Sequence, residues 1–215
     1  MTDTPHTPYK SLESFRPALI DTYLQTYIYD VVVQEKIHGS NIVILGYMSN
    51  GTWEFKLGSR KKWLNPSDTF NNFHTIFKNH LDKFIRLFDS IKDKVGQDTF
   101  TNAIVYGEIF GGKYGQEKTK GSFATQREPN YCPYNDIAFF DIYYDNKSLP
   151  ILESIDMFQK AGLKVAPVIY QGPLMSFLKD FNVDSFKSVV SKEFYGLDHI
   201  DTPKSTEGIT IRTIG

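Results

Sequence analysis

The residues best equipped for chemistry in this chain run Glu35-Lys36-Ile37-His38-Gly39-Ser40-Asn41, with a lysine closing an apolar run and followed by a glycine turn and a polar pair. A lysine at a strand end is partly withdrawn from water. Desolvation lowers an ammonium's pKa from about 10.4, by several units when burial is complete, and frees the lone pair that attacks phosphorus. Gly39 would let backbone N–H groups approach a phosphate, and Asn41 can orient a neighbouring group. On these residues alone, a strand-end lysine before an ordinary β-turn is the other reading.

Further along, Arg60 is followed by Lys61 and Lys62, a concentration of positive charge whose planar guanidinium can hold a phosphate or ribose oxygen through paired hydrogen bonds. A solvated basic face is the alternative. Glu108 stands at the end of an apolar run before Phe110-Gly111-Gly112, where an unpaired carboxylate is costly and a polar partner is required. That partner is either a ligand or a salt bridge at the core edge. In Phe139-Phe140-Asp141, strand alternation sends one ring into the core and the other outward, with Asp141 on the side opposite Phe140. The five histidines show no ligand spacing, so a zinc site is not expected and His38 reads as a hydrogen-bonding orienter. Residues 113–131 interleave Lys113, Lys118, Lys120 and Arg127 with Tyr114, Phe123 and Tyr131. That pattern suits a flexible loop over a polynucleotide or a simple solvated loop.

These residues need elements to position them. Three valines in succession make 30–36 a strand. A second strand over 41–48 turns at Asn50-Gly51 and returns over 52–57. Apolar residues from Phe73 through Phe77, Phe84, Phe88 and Ile91 to Val95 recur at helical spacings and predict one amphipathic helix over 72–95. Strands are expected over 103–110, 136–144, 163–170 and 208–213, with helices over 16–25 and, closed by Gly162, over 153–161. Strands mixed irregularly with helices point to an α+β fold on antiparallel sheets.

At 215 residues the chain can bury a sizeable core. Its formal net charge of −1 does not announce a nucleic-acid partner, so any such surface must come from local clustering. The single cysteine, Cys132, cannot form an internal disulfide and suits a reducing, intracellular and cytoplasmic setting. No run of apolar residues reaches a membrane span, and the start lacks a signal pattern. One domain over 1–215, monomeric and without a membrane, is the expectation.

The order of these segments adds a family resemblance. Lys36-Ile37-His38-Gly39-Ser40-Asn41 resembles motif I of the RNA ligase 2-like family, and Tyr9-Lys10-Ser11-Leu12-Glu13, Gly58-Ser59-Arg60, 105–111, 139–142 and 207–212 follow in that family's order. The resemblance implies a nucleotidyltransferase (ATP-dependent ligase adenylation) fold, with two antiparallel sheets flanking an ATP cleft. It implies Lys36 as the nucleophile that takes AMP from ATP, assisted by His38, Glu108 and Glu207. Ile37, Asn41, Arg60, Glu108, Phe140 and Arg212 would bind the nucleotide, Phe140 by stacking on adenine and Glu108 through the ribose hydroxyls. Glu207 would hold Mg2+, directly or through its waters, and RNA ends, in a nick or a bridged duplex, would be the substrate. The family also carries a Lys-x-Lys motif beyond the position of Arg212, which is not found before Gly215. A DNA ligase, a capping-type nucleotidyltransferase or a non-catalytic nucleotide- or RNA-binding module are the rival readings.

Overall fold

A computed structural model describes residues 5–10, 29–96, 99–200 and 206–214. The helix expected over 16–25 and the motif residues Ser11, Leu12 and Glu13 lie outside the described residues. The valine run forms β1 (Asp30–Glu35), the middle strand of a three-stranded sheet whose outer strands are β7 (Val168–Pro173) and β8 (Ile209–Thr213). Every residue from 31 to 35 is buried, so both faces of β1 are covered and its apolar residues need not alternate.

β2 (Ser40–Ser49) and β3 (Thr52–Ser59) form the expected hairpin, with Asn50 and Gly51 at φ of 50° and 76°, as a two-residue turn of matching twist demands. β4 (Asn102–Lys113), β5 (Cys132–Tyr144) and β6 (Lys147–Ser148) complete a second sheet of five strands ordered β3-β2-β4-β5-β6. All strand pairings in both sheets are antiparallel. The fold is therefore α+β, as the sequence predicts.

The helix predicted over 72–95 is two helices, α1 (Phe73–Asn79) and α2 (Leu81–Val95), after a 3-10 turn at Phe70–Asn72. His80, at φ −121° and ψ 19°, leaves helical geometry between them. The apolar row survives the break because Phe77 and Phe84 stack across it, ring centroids 4.7 Å apart. α3 (Ile151–Lys160) ends near Gly162 as expected. Two short helices, α4 (Leu174–Asp180) and α5 (Val190–Tyr195), carry too few turns to show a period in sequence.

The strand expected over 163–170 divides between the sheets. Lys164 and Ala166 bond to Phe139 of β5, while β7 starts at Val168 and runs to Pro173 beside β1. Pro167 lies at the crossing and has no N–H for a ladder; its carbonyl accepts from Glu35 N–H at 2.9 Å. β8 (Ile209–Thr213) closes the other side of β1.

The main core lies on one face of the five-stranded sheet. Ile42, Ile44, Val105 and Phe139 pack there against Phe84, Leu87, Phe88 and Ile91 of α2 and Phe158 of α3. The opposite face carries Val43, Leu45, Ile104 and Tyr106, with Tyr9, Phe140 and Tyr143 packed on them. This second face leads to the cleft.

Candidate active site

A cleft of about 710 Å3 is lined by residues of both sheets: Glu35 of β1, Asn41 of β2, Glu108 of β4, Phe140 of β5, and Thr210 and Arg212 of β8. Its size is in the range of small-ligand sites. Lys36 to Gly39, which join β1 to β2, also line it. The segment that looked most reactive in sequence is thus the bridge between the sheets.

Lys36 lies just past β1, and its N–H donates to the Gly208 carbonyl at 3.0 Å, continuing the β1–β8 pairing by one step. This brings Glu207 beside it, Nζ 2.5 Å from Oε1. The desolvation expected of a strand-end lysine is incomplete: the side chain stays 46% exposed, because it projects into the open cleft rather than into packed neighbours. Glu207 and Arg212 both line the cleft although five positions separate them. Strand alternation alone would set them on opposite sides, but β8 begins only at Ile209 and Gly208, at φ 144°, turns the chain before it.

Glu108 is in the middle of β4, opposite Asn41 of β2, and not at a strand end as its neighbours suggest. Burial, reinforced by the charge of Glu207, pushes its carboxyl up to about 8. Lys36, the Gly39 amide and Arg60 pull the other way. A carboxyl poised there can donate as well as accept a hydrogen bond near neutral pH.

Phe139 goes into the core, stacked on Phe158 at 5.2 Å, and Phe140 lines the cleft. The expected placement of Asp141 on the opposite side from Phe140 does not hold. β4 and β5 shift register here, Tyr106 facing Asp141 and Gly107 facing Phe139, so that Phe140 is the extra residue of a bulge. A bulge re-aims the following side chain, and Asp141 joins Phe140 against Tyr9 and Arg212. Arg212 lines the cleft, yet its guanidinium is committed to the wall. It donates to the Phe140 carbonyl at 2.7 Å and to Tyr9 Oη at 3.1 Å, and lies 3.4 Å from Asp141 Oδ2. Burial raises Asp141 despite that positive charge.

His38 is held through both its ring and its backbone. Its Nδ1 donates to the Glu128 carbonyl at 2.8 Å, and its N–H donates to Tyr131 Oη at 3.0 Å. Gly39 lines the cleft and has no room for a side chain, since a Cβ there would sit 2.1 Å from the Ile109 carbonyl oxygen. Asn41 Nδ2 donates to the Gly107 carbonyl at 3.3 Å, while its buried Oδ1 has no partner among the described residues. Ile37 is buried beneath the cleft. Arg60 and Lys61 lie exposed along it, whereas Lys62 turns to Asp68, 3.3 Å away.

Gln126 and Glu35 are among the lining residues to which the sequence reading gave no role. Gln126 Nε2 donates to the Gly39 carbonyl at 2.6 Å from a segment 87 residues away, and no local pattern announces such a contact. Glu35 is buried, its Oε2 accepting from Val189 N–H at 2.9 Å and its Oε1 unpartnered among the described residues. Burial pushes it up to about 7. A carboxylate closing the valine strand was the available signal. Among the described residues no group of three or more His, Cys, Asp or Glu is placed to hold a metal.

Two antiparallel sheets meeting at a cleft, with a lysine on the connection between them, make up the nucleotidyltransferase fold. A Naegleria gruberi RNA ligase has this fold: its lysine-to-methionine mutant with AMP and Mn matches with a TM-score of 0.61 at 14% identity, covering 98% of this chain and 54% of that one. A lysine-to-alanine mutant of it with ATP and Mn matches at 0.57 and 14%, covering 91% and 50%. The chain belongs to the RNA ligase family, whose model matches residues 29–214. It is 26% identical over 211 residues to RNA-editing ligase 1, mitochondrial, of Trypanosoma brucei brucei, an alignment that takes in 85% of this chain and 44% of that relative. The chain thus spans less than half of the curated relative and about half of the solved ligases.

Proposed function

We propose that this chain is the adenylyltransferase domain of an ATP-dependent RNA ligase, acting through Lys36. The observation that supports it most is the convergence on one cleft of Lys36, Glu207, Glu108, Phe140 and Arg60, drawn from both sheets. Nζ of Lys36, released from Glu207 and deprotonated, attacks the α-phosphorus of ATP. A P–N bond forms, the bond to the β-phosphate oxygen breaks, and pyrophosphate leaves. An oxygen of an RNA 5'-phosphate then attacks the same phosphorus, breaking the P–N bond and returning the pair to Lys36. A 3'-hydroxyl oxygen finally attacks the activated RNA phosphate and expels AMP.

Phe140 stacks on adenine, and Arg212 holds the Phe140 carbonyl and ring in place from behind. The unpartnered oxygens of Glu35 and Asn41 suit hydrogen-bond donors of the nucleoside, and Glu108 reaches the ribose hydroxyls. Arg60 and the basic segment 113–127 address polynucleotide phosphates. Glu207 beside Glu108 fits a Mg2+ ion, because such an ion is held by one or two carboxylates together with substrate phosphates. When bound, Mg2+ supplies neutralisation of triphosphate charge. Cys132, single and buried, supports an intracellular, cytoplasmic setting, and among the described residues no helix is long and apolar enough to cross a membrane. The domain is read as one monomeric unit over 1–215.

The test is intact-mass analysis after incubation with ATP and Mg2+. One added AMP, mapped by peptide analysis to Lys36, is expected, and sealing of a nicked RNA duplex in preference to an all-DNA nick. ATP binding without any adduct would favour a non-catalytic nucleotide-binding role.

A further inference from the structure

Phe123 is 44% exposed, although its backbone is held on both sides. Buried Asn135 accepts from the Phe123 N–H at 2.9 Å and donates to its carbonyl at 2.7 Å, bracketing the residue as a strand partner would. Thr125 N–H donates to the Gly111 carbonyl at 3.1 Å, and Asn72 Nδ2 donates to the Gly121 carbonyl at 2.7 Å. The loop is thus hydrogen-bonded to its surroundings at Gly121, Phe123 and Thr125. Burying a phenylalanine ring is favourable, and this ring, 44% exposed, forgoes much of that gain. Exposed Tyr134 packs edge-on against Tyr195 at 5.5 Å, whereas Phe123 has no ring partner among the described residues.

Two connections tie this segment to the cleft. Gln126, three positions on, lines the cleft and bonds Gly39. Asn72, which holds Gly121, ends the 3-10 turn that starts at the cleft-lining Phe70. The charge is one-sided: residues 113–127 carry Lys113, Lys118, Lys120 and Arg127 against Glu117, within a chain of net charge −1. We propose that Phe123 is a stacking platform for an unpaired RNA base beside the end being joined, with the cations around it holding the adjoining phosphates. This rests on the RNA-ligase reading and names the polynucleotide side of the same site. A base offers its π-face whatever its identity, so the platform favours a polynucleotide without choosing a sequence. Protein interfaces are depleted in lysine at their centres, while four cations against one anion suit a phosphate backbone.

The experiment compares the wild-type chain, Phe123→Ala and Phe123→Trp for binding to a 5'-phosphorylated nicked RNA duplex with an unpaired base at the break, at one fixed salt concentration. Phe123→Ala is expected to bind about five- to a hundred-and-fifty-fold more weakly, the loss of one stacked base. Phe123→Trp is expected to retain affinity and to show emission quenched by RNA beyond that of the wild type. Thermal melts of all three chains establish folding, and the tryptophan chain decides alone if the alanine chain melts early. Unchanged RNA affinity of Phe123→Ala, or no added quenching in Phe123→Trp, overturns the proposal. Loss of self-association or of a protein partner with RNA affinity intact overturns it in favour of a protein contact. Failure of the wild-type chain to take up AMP or bind RNA removes the ligase reading itself, a result distinct from either.

Discussion

The two faces of the five-stranded sheet come from the same strands and are put to opposite uses. On one, Ile42, Val105 and Phe139 are sealed under α2 and α3 with almost no polar group among them. On the other, Asp141 and the Phe140 carbonyl meet Tyr9 and Arg212 through polar contacts, Tyr106 packs its ring on Tyr9, and Glu108 and Phe140 line an open cleft. Neighbouring residues such as Phe139 and Phe140 therefore differ less in chemistry than in the company they keep. The sealed face supplies stability by removing apolar surface from water. The cleft face keeps unmet polar capacity, which a folded chain retains only where the surrounding packing supports it.

The largest expected effect breaks the chemistry while sparing the packing. Lys36→Ala should abolish any AMP adduct in intact-mass analysis, yet shift stability by no more than about 0.5 kcal/mol, as for other exposed side chains. Lys36→Arg should fail equally, since a guanidinium keeps its proton above pH of about 12 and has no lone pair to offer. An adduct on another lysine would refute the assignment.

The adjacent phenylalanines separate the faces directly. Phe139→Ala should cost about 3–5 kcal/mol in denaturant unfolding, the usual range for a buried ring lost from a core. Phe140→Ala should cost about 1 kcal/mol or less in the same measurement and weaken ATP binding by about 0.5–1.5 kcal/mol, the loss of one stacked ring. Equal losses of stability for the two would erase the distinction between the faces.

On the cleft side, RNA affinity should fall as salt rises. Arg60→Ala should reduce the slope of log affinity against log salt by about one unit, the value for one phosphate contact. Titration with a nicked RNA duplex at several salt concentrations measures it. An affinity independent of salt would count against a phosphate-binding role.

The smallest effect concerns pH. Glu108 and Glu35, pushed up to about 8 and about 7 mainly by burial, hold protons in the folded chain that the unfolded chain releases near a pH of about 4.3. Facing Glu35 are the Ser188, Val189 and Val190 groups, which favour its charged form, and Glu193, which opposes it. Their joint contribution is fully present below the unfolded value and is lost as pH rises through 7 and 8. Urea unfolding at several pH values should show stability falling over this window, and Glu35→Gln should flatten part of the fall. A rise in stability from these groups would contradict the burial argument.

What sequence alone determined here is whatever depends on near neighbours. The valine run, the Asn-Gly hairpin and the phenylalanine period each depend on backbone preferences or spacings within one or two turns, and they led to a strand, a hairpin and a helical apolar row; the motif around Lys36 is equally local and lines the cleft. Even the helix break at His80 left the apolar row in register, which is why one helix was read where there are two. The rest was decided by which strands became neighbours. The Lys36–Glu207 pair spans 171 residues, the Gln126–Gly39 bond 87, and the Arg212–Tyr9 bond 203. The bulge that turns Asp141 toward Arg212 exists only in the register of β4 against β5. The burial that raises Glu35 and Glu108 likewise requires both sheets to be in place. A side chain's charge and reach are local properties, but its partner and its exposure to water are set by the approach of distant backbone, and only the tertiary structure supplies that.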